Sequence, residues 1–162
     1  MLRSSISAAA PRGWSIRCSR GFAAITVLDV SEAALQSVKA RLGENAASVR
    51  WIAADATDWQ PPESFDIWHD RAAFHFLVEE KDRAAYLDRL HAGVKPGGHA
   101  IIATFAPDGP EKCSGLPVRR YSPESLGKTI GSAFDLVEHR LHRHITPWGA
   151  VQSFQFSVLR RR

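Results

Sequence analysis

The 162-residue sequence predicts an α/β fold whose mostly parallel sheet ends in an antiparallel hairpin. From residue 24 onward, β-branched apolar runs alternate with helix-like segments across short joints, a pattern typical of parallel strands with helices on both faces. The chain then closes with two consecutive strand-like runs, which indicate a hairpin. At this length one domain with a single core is expected.

Each element before residue 105 has a local signal. AITVLDV predicts a strand buried on both faces, and SEAALQSVKARLG predicts a helix with Ser31 as N-cap and Gly43 as its stop. SVRWIAAD, FDIWHD and HAIIATF predict three further strands. Between the last two, EEKDRAAYLDRLHAGV has helical spacing and is ended by KPGG.

The last third begins with a Gly/Pro-rich loop, APDGPEKCSGLP. SPESLGKTI predicts a helix with Ser122 as cap and Pro123 at its first position. FDLVEHRLHRHI and AVQSFQFSVLR predict the closing strands, and the sequence between them, Thr146 to Gly149, fits a type I turn.

The charge distribution argues against a nucleic-acid partner. The formal net charge is +4, but Arg3, Arg12, Arg17 and Arg20 stand in a first segment without acids, so the remainder is neutral. No apolar run approaches the roughly 18 residues of a membrane span. The two cysteines form neither a CxxC pair nor a disulfide framework. We therefore expect a cytoplasmic protein without a nucleic-acid or membrane partner.

The histidines of the penultimate strand raise the question of a metal site. His142 and His144 share a strand face, with His139 nearby in sequence. No third ligand follows from the spacing, so we predict no metal.

Four segments carry a resemblance to a known family: VLDVSEAAL, AADATDW, FDIWHDRAAFHFL and HAGVKPGGHAIIATF. Together they resemble the class I S-adenosylmethionine-dependent methyltransferases over residues 22 to 160. The resemblance implies a Rossmann-like sheet of order 3-2-1-4-5-7-6 with only the last strand antiparallel, and S-adenosyl-L-methionine as cofactor. WHDRAAFHFL is more particularly similar to a group of small bacterial methyltransferases. The acceptor, a small molecule or a protein, and the oligomeric state are left open.

The resemblance also implies which residues bind the cofactor. Asp29 ends the second strand, where a carboxylate can accept hydrogen bonds from both ribose hydroxyls, and Val30 follows it. Asp55 meets the adenine amino group with the backbone of Ala56 beside it, while Trp51 or Trp59 flanks the base.

The segment after the fourth strand is where this family places groups that face the transferred methyl. His69, Asp70, Arg71 and His75 are the catalytic candidates, with Asp70 or His69 accepting a proton from the nucleophile or holding it in line. The alternative is structural: Asp70 and Arg71 form an ion pair, and His75 packs at a helix start.

The loop after the fifth strand is the second candidate wall of the acceptor site. Its candidates could select a polar or charged acceptor, although a loop of this kind can equally be a surface cover. Cys113 is not expected to be a nucleophile, because the reaction needs no transfer to the enzyme. The acceptor candidates are Phe105, Asp108, Ser114, Arg120 and Tyr121.

The N-terminal segment departs from the family. An acid-x-Gly-x-Gly turn should follow the first strand, so that the backbone can approach the cofactor, but Ala8, Ala9 and Ala10 stand there. We therefore expect an aberrant or disordered segment over residues 1–21, a methyltransferase-like domain over 22–162, and a first strand and helix that are missing or degraded.

Two interpretations of this segment stay open. One is an organellar transit peptide, since the segment is rich in Arg and Ser and lacks acids. The other is a local shift of reading frame, because codons for V-I-D-I-G-G-G-A-S-R-L-V-D-P-L-L, read one base out of register, can give residues 4–19. Either way, the chain as written should bind cofactor weakly or not at all.

Two other functional classes are considered beside the methyltransferase. A nicotinamide-dependent dehydrogenase also places a carboxylate after its second strand, but VKPGG and the closing hairpin argue against it. A catalytically inactive or vestigial binding module of the same fold is the alternative function.

Overall fold

The computed structural model describes residues 3–7 and 24–162, which form a seven-stranded sheet and a separate small hairpin. The predicted boundary between residues 21 and 22 lies outside the described residues. The strands, in chain order, are β1 (Arg3–Ser7), β2 (Ala24–Asp29), β3 (Val49–Ala53), β4 (Phe65–Arg71), β5 (Val94–Phe105), β6 (Lys112–Cys113), β7 (Leu116–Pro117), β8 (Phe134–Ile145) and β9 (Val151–Arg161). The described helices are α1 (Glu32–Leu42), α2 (Glu80–Gly93) and α3 (Pro123–Ile130), with 3₁₀ turns at Gly43–Ser48 and Phe74–Phe76.

The strand order of the large sheet is β3-β2-β1-β4-β5-β9-β8, as predicted. The first five strands pair in parallel, and β9 runs antiparallel to both β5 and β8. The first strand, which was expected to be missing or degraded, is present, because β1 lies between β2 and β4. The part of this prediction that concerns the first helix lies outside the described residues. Its register runs from Arg3 opposite Ala24 to Ser7 opposite Leu28, and Ser7 also lies opposite Asp70.

The predicted helix ends are confirmed. The Ser31 hydroxyl accepts from the Ala34 N–H at 3.2 Å, and Gly43 caps the other end of α1. Ser122 caps α3 in a reciprocal pair of bonds with Ser125. These caps fix where the chain enters and leaves the sheet.

The start of β5 differs from the prediction. The segment KPGG was expected to end α2 before a strand starting at His99, but β5 begins at Val94. A register irregularity separates the pair Phe65–Val94 from the pair Ile67–His99. Gly98 lies where an added Cβ would be 2.9 Å from the Asp66 carbonyl oxygen, so the close approach of two backbones requires glycine there.

The main core lies where α2 and α3 pack on the sheet. Leu90 of α2 and Leu126 of α3 are fully buried with Trp68 and Leu159 of the sheet. A second cluster joins Leu35 of α1 to Ile25 of β2. None of the helices in the described ranges is both long and apolar enough to cross a membrane.

The last residue of α2 shows how tightly this core is packed. A Cβ at Gly93 would lie 2.7 Å from the Trp68 ring, whereas a Cβ at Gly127 of α3 would meet nothing within 4 Å. We predict that Gly93→Ala lowers the free energy of unfolding by about 1–3 kcal/mol through overpacking. Gly127→Ala should raise it by about 0.5–1 kcal/mol through helix propensity. Urea denaturation measures both, and equal effects of the two substitutions would contradict the packing argument.

Candidate active site

A cleft of about 670 Å³ opens at the carboxyl ends of β2, β3 and β4. The β6–β7 hairpin forms its outer wall. In an open parallel sheet this edge is where ligands bind, because the strand ends and the following loops leave a crevice there. The described residues that line it are Leu28, Asp29, Val30, Ala54, Asp55, Ala56, Arg71, Ala72, Ala73, Phe76, Leu77, Val78, Tyr86, Cys113, Ser114, Leu116 and Pro117.

All four predicted cofactor residues line this cleft. Asp29 ends β2 and accepts a hydrogen bond from the Ser31 N–H at 2.8 Å, and Val30 beside it is 77% exposed. One oxygen of Asp55 accepts from the backbone N–H and the hydroxyl of Thr57, at 2.8 and 2.7 Å. Within the described residues the second oxygen of Asp55 has no hydrogen-bond partner, so it can accept one from a ligand.

The two tryptophans expected to flank an adenine do not line the cleft. The Trp51 indole N–H donates to the Ala46 carbonyl at 3.0 Å, with Lys39 over its ring. Trp59 packs against Phe65 and Trp68 in the core. This expectation is wrong, because both rings are used in packing.

Asp70 is fully buried at the end of β4 and does not line the cleft. Its carboxylate accepts from the N–H groups of Ala73 and Phe74 at 2.9 and 3.0 Å and from the Tyr86 hydroxyl at 2.7 Å. Burial raises the pKa of Asp70 to about 6, against the lowering effect of these three donors. The geometry therefore gives Asp70 a structural role in the turn after β4 rather than contact with an acceptor.

This turn has strained backbone. Ala72 adopts a φ of +61°, and its N–H donates to the Ala103 carbonyl at 2.9 Å. Although Asp70 and Arg71 are neighbours in sequence, they form no ion pair within the described part of the chain, so the structural alternative of such a pair is also wrong. Arg71 instead lines the cleft.

The two histidines among the catalytic candidates are buried and do not line the cleft. Burial lowers the pKa of both to about 4, and the charge of Arg71 lowers that of His69 further. The Nδ1 atom of His75 accepts from the Phe105 N–H at 3.3 Å, and its ring packs against Phe76 and Phe105. The geometry supports the alternative in which His75 is a packing residue.

Ser114 is the acceptor candidate that does line the cleft. Asp108 accepts from the Ser153 hydroxyl at 3.1 Å, and Arg120 donates to the Gly109 carbonyl and pairs with Glu111, each at 3.1 Å.

The remaining two acceptor candidates are core residues. Phe105 and Tyr121 are buried against Phe154 and Phe74, respectively. Asp108 joins the loop to Ser153 of β9, and Arg120 bonds within the loop, to Gly109 and Glu111. The interpretation of the loop as a cover therefore fits these four residues better.

The apolar lining of the cleft and the hairpin that carries part of it were not predicted from the sequence. Ser114 and Gly115 have φ values of +51° and +83° between the paired strands β6 and β7. The dipeptide Ser-Gly between short extended segments is a known turn signal that could have revealed this two-residue hairpin. The apolar lining residues are Phe76, Leu77, Val78, Leu116 and Pro117.

The described residues contain no group of three or more His, Cys, Asp or Glu placed to hold a metal ion. The histidines of β8 are therefore not brought together with further ligands within those residues.

The family model described as a methyltransferase domain matches residues 10–98, more than half of the chain. The chain belongs to this family. The prediction from the sequence is thereby confirmed at the level of the family. No curated protein matches the chain significantly.

Solved structures agree on the fold. The N-methyltransferase NodS from Bradyrhizobium japonicum WM9 has a TM-score of 0.81 at 15% identity, over 99% of this chain and 85% of that chain. Its complex with S-adenosyl-L-homocysteine has a TM-score of 0.77 at 15% identity, over 99% and 78%. A Burkholderia thailandensis 1,6-didemethyltoxoflavin-N1-methyltransferase with bound S-adenosylhomocysteine has a TM-score of 0.71 at 22% identity, over 98% and 70%. These likenesses confirm the predicted Rossmann-like methyltransferase fold.

The bond from Tyr86 to Asp70 gives a pH-dependent prediction. Tyr86→Phe removes a donor to Asp70 and the acceptor of the Trp68 indole N–H, and should lower the free energy of unfolding by about 1–3 kcal/mol at pH 7.5. Loss of the donor raises the folded-state pKa of Asp70 further above about 6, so the variant gains more than the wild type from protonation. The cost of the substitution should therefore shrink as the pH falls from 7 to 5.

Urea denaturation at pH 7.5 and pH 5 checks this prediction. Tyr121→Phe, which removes a buried hydroxyl that is not bonded to Asp70, is the matched control and should show no such pH dependence. If Tyr86→Phe lowers the free energy of unfolding equally at both pH values, the Tyr86 hydroxyl does not stabilise the charged form of Asp70, and the prediction is wrong.

Proposed function

We propose that this chain is an S-adenosyl-L-methionine-dependent methyltransferase that binds its cofactor in the cleft and transfers the methyl group to a small molecule. The observation that carries the proposal is the pair Asp29 and Asp55, which stand at the ends of adjacent strands in one cleft with the exposed Val30. That set of groups suits an adenosine: carboxylates for hydroxyl and amino donors, and an apolar surface for the ring.

The proposed roles follow from these positions. Asp29 accepts hydrogen bonds from the ribose hydroxyls, Asp55 accepts from the adenine amino group, and Val30 with Ala56 contacts the base. The turn from Arg71 to Ala73 and the β6–β7 hairpin then enclose the acceptor. When bound, the cofactor supplies a methyl group on a positive sulfur, so the protein needs chiefly to align the acceptor and exclude water.

The N-terminal segment bears on the strength of binding. Ala8, Ala9 and Ala10 stand where the family has glycines; they lie outside the described residues. Ser7, directly before them, lies level with Leu28 and Asp70 at the carboxyl edge of the sheet. In support of the frame-shift hypothesis, the glycines of the alternative reading follow this strand end directly. We propose that the chain as written binds cofactor weakly.

The alternative function is an inactive methyltransferase-fold binding module. The observation that favours it is the alanine triplet, since a Cβ at each position crowds a backbone that must approach the ligand. Such a module keeps the cleft walls but is not stabilised by S-adenosylhomocysteine.

Titration calorimetry with S-adenosylhomocysteine tests the proposal. We predict weak binding by the chain as written and about tenfold or more tighter binding when Ala8, Ala9 and Ala10 are replaced by glycine or residues 4–19 by the alternative reading. In that background Asp29→Asn should weaken binding about tenfold, because one acceptor for the ribose becomes a donor.

Ser31→Ala is the matched control for the Asp29 variant. It removes the N-cap of helix α1, which follows Asp29, at a cost of about 1 kcal/mol in stability. Because Ser31 does not line the cleft, the affinity for S-adenosylhomocysteine should be unchanged. Folded glycine variants that do not bind S-adenosylhomocysteine would favour the inactive module, and micromolar binding by the unaltered chain would refute the weak-binding claim.

A further inference from the structure

We propose that Arg71 binds an anionic oxygen of the methyl acceptor, and that the acceptor is an apolar small molecule carrying a carboxylate or phenolate. This inference rests on the proposed function, because it assigns the acceptor end of the same cleft. Arg71 lies at the end of β4 and is the cation among the described residues that line the cleft.

The guanidinium of Arg71 is available to a ligand. No hydrogen bond or ion pair engages it within residues 3–7 and 24–162, and the neighbouring carboxylate of Asp70 is occupied by the N–H groups of Ala73 and Phe74 and by Tyr86. Arg83, which follows on α2, is by contrast held by the carbonyls of Leu77 and Val78. A half-buried guanidinium without a protein acceptor is suited to a ligand anion.

The position of Arg71 is fixed by the turn that follows it. The Ala72 N–H donates to the Ala103 carbonyl at 2.9 Å, and Asp70 accepts from the next two N–H groups, at Ala73 and Phe74. The backbone at Arg71 therefore lies between an anchored strand and an anchored turn. An arginine placed in this way loses less freedom when it binds a carboxylate through two parallel hydrogen bonds.

The surroundings of Arg71 indicate the rest of the acceptor. Apolar side chains contribute much of the lining, both from the segment after β4 and from the hairpin. Beside an apolar wall, the attraction between the Arg71 guanidinium and a ligand anion is stronger than in water. A neutral polar ligand lacks that attraction and so does not offset the cost of burying the charge. The acidic lining residues, Asp29 and Asp55, lie at the ends of β2 and β3 and are assigned above to the nucleoside. The apolar residues are Phe76, Leu77, Val78, Leu116 and Pro117.

The chemistry agrees with an anionic acceptor. A carboxylate or phenolate oxygen is already deprotonated: its electron pair forms the O–C bond to the methyl group while the C–S bond breaks and its pair goes to sulfur. The products are a methyl ester or ether and a neutral thioether, and no proton moves. His69, Asp70 and His75 do not line the cleft, so an acceptor that needs no base fits the described residues.

Binding of a matched pair of probes tests this inference. We expect the full chain to bind 1-naphthoate about tenfold or more tighter than the neutral isostere 1-naphthamide, by titration calorimetry or ligand-observed NMR. Arg71→Gln should reduce naphthoate binding to the level of naphthamide. Arg143→Gln removes an equal charge from the exposed strand β8 and should leave naphthoate binding unchanged.

In the probe titrations, three results would overturn the inference: equal binding of the two probes by the wild type, unchanged naphthoate binding by Arg71→Gln, or equal losses in the Arg71 and Arg143 variants. In a separate experiment, S-adenosylhomocysteine is titrated into the variant that has glycine at positions 8–10, with and without Arg71→Gln. The two affinities should agree within about twofold. A selective loss there would assign Arg71 to the cofactor carboxylate and refute the acceptor role. If this titration fails even with Arg71 present, the proposed function fails, while the naphthoate comparison still reports on Arg71.

Discussion

The carboxylate of Asp70 is the constraint on which the site depends. It lies at the boundary between the core and the cleft, with the Tyr86 hydroxyl and the Trp68 indole on one side and the turn from Ala72 to Phe74 on the other. A buried charge of this kind is tolerated only when donors surround it, and its pKa of about 6 shows that desolvation still outweighs them. Two of these donors, the N–H groups of Ala73 and Phe74, fix the turn in which Ala72 has a positive φ. The third donor, Tyr86, belongs to α2, so the packing of that helix helps to set the shape of the cleft beside the turn.

The parallel pairing of β2, β1 and β4 supplies the second constraint. Because parallel strands end at one edge, Asp29 and Arg71 come to the same cleft although more than 40 residues separate them in sequence. The hairpin β6–β7 completes the cleft from the far side. Two backbone hydrogen bonds hold the base of this hairpin. The Arg119 N–H donates to the His75 carbonyl at 2.8 Å, and the Tyr121 N–H donates to the Phe105 carbonyl at 2.9 Å. Phe105 and Tyr121, which were predicted to contact the acceptor, thus hold the hairpin that forms the outer wall of the cleft.

The helix caps were predictable from the sequence because they follow from single capping residues such as Ser31 and Ser122. The order of the sheet came instead from the resemblance to the methyltransferase family, because local periodicity predicts strands and helices but not their arrangement in space. The same resemblance gave the predicted cofactor residues, and all four line the cleft beyond β2 and β3. The sequence did not show which of the two polar residues that end β4 faces the cleft. Asp70 and Arg71 are adjacent in sequence, yet one is buried and the other lines the cleft. The left-handed conformation of Ala72 directs the chain away from the strand at this point. An alanine gives no sequence signal for that conformation.

In the central strand, β1, the backbone fits the sheet but the side chains are unusual for that position. β1 pairs with both neighbours, so its backbone meets the requirement of the sheet. Its sequence, RSSIS, does not match the continuous apolar run that is usual for a strand between parallel partners. In the alternative reading positions 4–7 carry V-I-D-I, and the acid falls at position 6, opposite Val27 and His69.

That reading places three glycines directly after Ser7, at the edge where the cofactor is proposed to bind. Only the alternative reading supplies the glycine-rich turn that a nucleotide requires after this strand. A fold set by backbone pairing can thus survive a change in the segment on which its cofactor affinity depends.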